Sequence, residues 1–78
     1  MNVLKCLAEI IDLYDSGNLL AAESLERGVL TTLQKSERPE NRIAFGYLSQ
    51  PCADMAEKLG ALRAANSYLG SVYVTRDR

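Results

Sequence analysis

Residues 50–70 read QPCADMAEKLGALRAANSYLG. Laid on a helix at about 100° per residue, Cys52, Met55, Leu59, Leu62 and Leu69 fall into one bulky apolar stripe. Beside it, three and four residues apart, run Ala53, Ala56, Gly60 and Ala64. Large side chains bury area, whereas small ones let a second backbone come close. The stretch therefore predicts a helix packed on two sides, running from about residue 51 to residue 69. Packing is what this pattern encodes, and no catalytic motif stands beside it.

Working outward, residues 3–15 form an amphipathic pattern. Val3, Leu4, Leu7, Ile10, Ile11 and Tyr14 share one side, and Lys5, Glu9 and Asp12 share the other. Cys6 and Leu13 widen the apolar sector, which places this helix at the centre of the core. Asn2 suits its N-cap, and Gly17 suits a left-handed stop. A second helix is expected from Asn18, as its cap, to Lys35, with Leu19, Ala22, Leu25, Val29, Leu30 and Leu33 inward. Gly28 lies inside it, marking either a close crossing by another helix or a tolerated substitution. The polar segment 36–41 breaks the pattern, and Pro39 suits the first turn of a short third helix over 39–49. Ile43, Ala44, Tyr47 and Leu48 mark its inner side. Ser49 or Gln50 would cap the fourth helix. Asn66 falls within the bulky stripe, either fixing register where two helices meet or sitting at an edge with its amide in water.

Past Gly70 the run Val72-Tyr73-Val74-Thr75 is β-branched and aromatic with two-residue alternation. No second strand stands in the chain to pair with it. It could pair with the same strand of a second copy, join a partner's sheet edge, or prolong the helix, since Leu69, Val72 and Tyr73 also fit helical spacing. The expected organisation is an all-α, compact four-helix domain over residues 1–70, with residues 71–78 as a short extended C-terminal tail and candidate strand.

Composition narrows the function. Seventy-eight residues make one small domain, whose core is marginal enough that a partner would help it. The net charge of −1 and a pI near 5.3 give no overall attraction to nucleic acid or anionic lipid. No apolar run is long enough to span a membrane. Glu9 and Asp12 within the N-terminal apolar pattern argue against a signal peptide, so a cytoplasmic location is expected. There is no histidine, which removes the usual proton shuttle and the commonest metal ligand. Cys6 and Cys52 are unpatterned and read as buried thiols, so neither a metal nor a cofactor is expected. The carboxylates Glu9, Asp12, Glu23, Glu26, Glu40, Asp54 and Glu57 are scattered singly, mostly on solvent faces. Tyr14, Tyr47, Tyr68 and Tyr73 are of a type suited to interfaces, and Tyr68 is expected to project from the polar side of the last helix.

Residues 53–69, ADMAEKLGALRAANSYL, resemble the helix-turn-helix of bacterial transcription regulators. The resemblance rests on Ala56 four residues before Gly60, on Met55 and Leu59 preceding them, and on Arg63 and Ser67 following. It implies DNA contacts from Lys58, Arg63 and Ser67, and by charge Lys58, Arg63, Arg76 and Arg78 would form a local basic patch beside them. Two positions depart from the pattern. Leu62 stands where a capping serine or threonine is usual, and Asn66 stands where the recognition helix carries an apolar residue.

The residues thus point first to a non-catalytic regulatory, adaptor or inhibitor protein that binds another protein, itself a homodimer. The expected interface is Ala53, Ala56, Gly60, Ala64, Tyr68 and Tyr73. The alternative is a small DNA-binding regulator. The backbone at residues 60–62 separates the two: a turn serves DNA reading, an unbroken helix serves packing.

Overall fold

Asn2 starts the first helix by accepting a hydrogen bond from the Lys5 backbone N–H at 3.1 Å. The computed structural model describes the backbone of residues 1–76 and the side chains of residues 1–74. Its elements are α1 (Val3–Asp15), α2 (Leu19–Lys35), α3 (Pro39–Leu48) and α4 (Met55–Arg76). The all-α four-helix architecture expected from the periodicities is the one observed. No described helix is long and apolar enough to cross a membrane.

Each boundary has a local cause. Gly17 takes φ +83°, the left-handed conformation that closes α1, and the Asn18 N–H reaches back to the Leu13 carbonyl at 2.9 Å. Asn18 precedes α2, but its side chain bonds Ser16 Oγ at 3.2 Å and makes no cap. Ser36 organises the next corner: its Oγ accepts from the Arg38 N–H at 3.2 Å and from Asn41 Nδ2 at 2.9 Å. Pro39 then enters α3 in its first turn, where a missing N–H costs nothing.

The fourth helix departs from expectation at both ends. It starts at Met55 rather than near residue 51, because Asp54 supplies the cap instead of Ser49 or Gln50. Asp54 Oδ1 accepts from the Glu57 N–H at 2.9 Å, and Glu57 Oε2 accepts from the Ala53 N–H at 2.9 Å. This reciprocal pair satisfies two backbone donors at once and places acids at the positive helix end. At the other end the helix continues through Arg76, so residues 71–76 are helical rather than extended. Of the three fates open to the Val72–Thr75 run, the chain adopts helix continuation. The remainder of the expected tail, residues 77 and 78, lies outside the described residues.

The helices form a ring in which α1 packs on α2 and α4, and α3 packs on the same two. Neighbours run antiparallel. Met1 at the start of α1 reaches Gly28 and Thr32 in the second half of α2, while Asp15 at its end meets Arg63 of α4. Leu7, Ile10, Val29, Leu33, Leu62 and Leu69 are fully buried at the centre, with Ala22, Ala44 and Ala65 closing the gaps. Val3 and Tyr14 extend the α1 contribution along its length, but in the ring α1 is no more central than the other three helices.

The bulky stripe of α4 needs correction. Leu62 and Leu69 are buried, but the line between them passes through Ala65. Met55 is 39% exposed in the first turn, and Cys52 precedes the helix. Asn66 is half-buried beside that line, at an edge of the packed face.

Candidate functional site

The outer face of α4 is unusual for a surface. Ala56, Gly60 and Ala64 are all exposed, and Ser67, Ser71 and Val74 continue the same side. The outer face of α1 carries Lys5, Glu9, Asp12 and Asp15, as a solvated helix face normally does. A Cβ added at Gly60 would meet no atom within 4 Å. The small residues therefore answer no packing need within the chain. Ala53 sits in the connection ahead of the helix and is not part of this stripe.

The two tyrosines expected at an interface are used internally. Tyr68 is half-buried rather than projecting, packed against the core, with its ring 6.0 Å from that of Tyr47 at 55°. Tyr73 is also half-buried, and its hydroxyl donates to Asn41 Oδ1 at 3.2 Å, tying the far end of α4 to the start of α3. The exposed aromatic and aliphatic surface on that flank belongs instead to Tyr47 and Ile43 of α3, which the sequence reading had turned inward.

A second grouping is one that periodicity did not indicate. Glu26, read as a surface carboxylate, is 6% exposed, and Tyr14 beside it is 5% exposed. The Tyr14 hydroxyl donates to Glu26 Oε1 at 2.5 Å. Lys58 Nζ donates to both carboxylate oxygens at 3.2 and 3.3 Å, and lies 5.8 Å from the centre of the Tyr14 ring. Three helices meet here: α1 gives the phenol, α2 the carboxylate and α4 the ammonium. Burial and then the bond and charge of Glu26 push the Tyr14 phenol well above its ordinary value. Glu23 adds to that shift and Arg27 opposes it. Tyr14 is therefore a protonated donor, and the cluster works as a buried polar tie. An inward-facing Glu26 has a weak sequence signal: it stands four residues after Ala22 and three before Val29, on the apolar side of its helix.

The residues expected to touch DNA are not brought together for that purpose. The helix runs unbroken through residues 60–62, so the turn of a helix-turn-helix is absent. Leu62 is buried against the core instead of opening a recognition helix. Lys58 is turned inward to Glu26, and Arg63 pairs with Asp15 at 3.6 Å. Ser67 is exposed, and Arg76 is the last described residue of the helix.

Cys6 and Cys52, expected to be buried, are both free and only half-buried. Between α2 and α3 lies a surface groove of about 330 Å³ lined by Leu33, Gln34, Arg42 and Phe45. Its cation is already engaged, since Arg42 Nε donates to the Ser36 carbonyl at 3.5 Å.

No protein-family profile matches this chain, and neither a curated protein nor a solved structure shows significant similarity to it.

Proposed function

We propose that this chain is a non-catalytic cytoplasmic regulatory, adaptor or inhibitor protein that acts by binding another protein, and that it self-associates through α4. The observation that supports this reading is the solvent side of that helix. Ala56, Gly60 and Ala64 are exposed, and Gly60 has open space where a side chain would stand. A glycine inside a helix costs about 1 kcal/mol relative to alanine. No packing contact within one copy of the chain offsets that cost, whereas a helix laid along the stripe would gain close backbone contact from it. The flank offers Tyr47 and Ile43, both of types that contribute area at interfaces.

Sedimentation of the wild-type chain over a range of concentrations tests the reading. A concentration-dependent dimer that Gly60→Leu abolishes supports it. A chain that remains monomeric at high concentration and captures no protein through this face overturns it.

A further inference from the structure

From Ser49 to Ala61 no residue is buried. This stretch covers the α3–α4 connection and the first two turns of α4, and the first buried side chain after it is Leu62, 1% exposed. Leu59 lies partly against the core. Among the described residues, the hydrogen bonds and ion pairs that leave this stretch for α1 or α2 all belong to Lys58. Beyond Leu62 the helix is held differently, by Ala65 and Leu69 in the core and by Tyr73 on Asn41. One helix is thus fastened in two ways: the C-terminal part by buried apolar area, the N-terminal part by one half-exposed ammonium and the partial contact of Leu59.

We propose that residues 49–61 open from the bundle as a unit while the rest of α4 stays docked, and that Lys58 is the latch that holds the unit closed. Local opening follows low buried area. The Asp54–Glu57 capping pair is internal to the unit and ties it to nothing else, and two undocked turns are too short to hold their backbone hydrogen bonds against water, so opening exposes amides 58–61. Gly60 stands at the inner end of the unit, where the helix backbone is least restricted and no neighbour lies against it. Opening withdraws the ammonium from Glu26 and from the ring of Tyr14. That uncovers a carboxylate and an aromatic face at the end of the bundle where α1 turns into α2. A partner that bound this uncovered pair would compete with Lys58 and shift the population towards the open form.

Residue-resolved amide exchange on the full chain tests the latch, measured against low concentrations of urea and at two protein concentrations to separate protection by self-association. In the wild type, amides 58–61 exchange faster than amides 65–73 and depend less on urea, because the opening exposes little surface. In Lys58→Gln, amides 58–61 approach the unprotected rate, while amides 65–73 remain protected by roughly 100-fold or more. Lys58→Arg restores the wild-type pattern. One common rate and urea dependence across residues 58–73 of the wild type would mean that α4 opens only with the whole fold, and the proposal fails. It also fails if Lys58→Gln leaves amides 58–61 as protected as before.

Discussion

Lys58 Nζ sits 3.2 Å from Glu26 Oε2, joining α4 to α2 across the ring of helices. Helices α2 and α4 share no backbone packing edge; each lies against α1 and α3. The ion pair is thus a diagonal tie, and its two ends are unequal. The Glu26 side chain is 8% exposed and that of Lys58 is 35% exposed. Removing the cation strands a buried charge, while removing the anion leaves a cation that can reach water.

This asymmetry sets the first prediction. Lys58→Met should destabilise the fold by about 1–3 kcal/mol, below the figure for a fully buried pair because the lysine end is partly solvated. Glu26→Gln together with Lys58→Met should recover most of that loss, since both charges leave together while an amide oxygen still accepts from the Tyr14 hydroxyl. Urea melts of the two single variants and the double variant complete the cycle. Additive losses would mean that the two groups are not coupled.

Tyr14 gives a pH-dependent prediction. Its phenol is held above the ordinary value by burial and by Glu26, so the folded state binds the proton more tightly than the unfolded state. The stabilisation is fully present below the unfolded value near pH 10 and is lost as pH rises beyond it. Tyr14→Phe should cost about 1–2 kcal/mol near neutral pH, for the lost hydrogen bond to a carboxylate. The gap between wild type and variant should narrow above about pH 10. Denaturant melts at pH 8 and pH 10.5 measure it. A gap that stays constant or widens would assign the shift to something other than this phenol.

Much of the fold was legible from periodicity, but on α3 Ile43 and Tyr47, expected inward, are exposed while Glu40 and Asn41 are buried. The apolar spacing of α1 and α2 names Val3, Leu7, Ile10, Tyr14, Ala22, Val29 and Leu33 correctly as buried, whereas Leu4, Ile11, Leu25 and Leu30 are half-buried and Leu19, expected inward, is 48% exposed at the first position of α2. The cap at Asn2 and the left-handed Gly17 follow from residue chemistry alone. The fourth helix was harder. Its apolar and small residues surround it, so hydrophobicity alone does not say which side faces in. The bulky stripe through Met55 looked like the core, but the packed line passes through Ala65, a small residue where neighbouring helices come close. The tail misled for another reason. Valine and tyrosine favour strands only when a neighbour supplies a ladder, and without one the run continues the helix already begun. Glu26 was missed because its place on the apolar side of α2 is a weak signal by itself, and the partners that make its burial tolerable, Tyr14 and Lys58, stand twelve and thirty-two positions away.

Gly28 allows a simple stability test. Of the two readings of Gly28, the structure shows no close helix crossing: an added Cβ would meet only the tip of the Met1 side chain, with Cε at 3.6 Å. That is an ordinary contact, and the backbone is helical there. Gly28→Ala should therefore stabilise the fold by about 0.5–1 kcal/mol through helix propensity and a less free unfolded chain. Thermal or urea melts settle it. A loss of stability would show that a flexible Met1 is not what covers this site.

Gly60→Leu separates fold from association. The substitution sits mid-helix on the exposed side, and nothing stands within 4 Å of the new Cβ. Replacing glycine in a helix interior raises intrinsic helix stability by roughly 0.5–1 kcal/mol. The melting temperature of the monomer should therefore hold or rise. A second helix packed along Ala56, Gly60 and Ala64 has no room for a branched side chain, and overpacking of that kind costs about 1–3 kcal/mol on each side of a symmetric contact. Two copies meeting through this face feel the change twice, so the dimer should dissociate at concentrations where wild type stays paired. Sedimentation and melting of both proteins read the two effects separately. The combination of lost association and preserved fold supports an interface on α4. A mutant that loses its fold would place Gly60 in internal packing, and a mutant that stays paired would put the interface on another face.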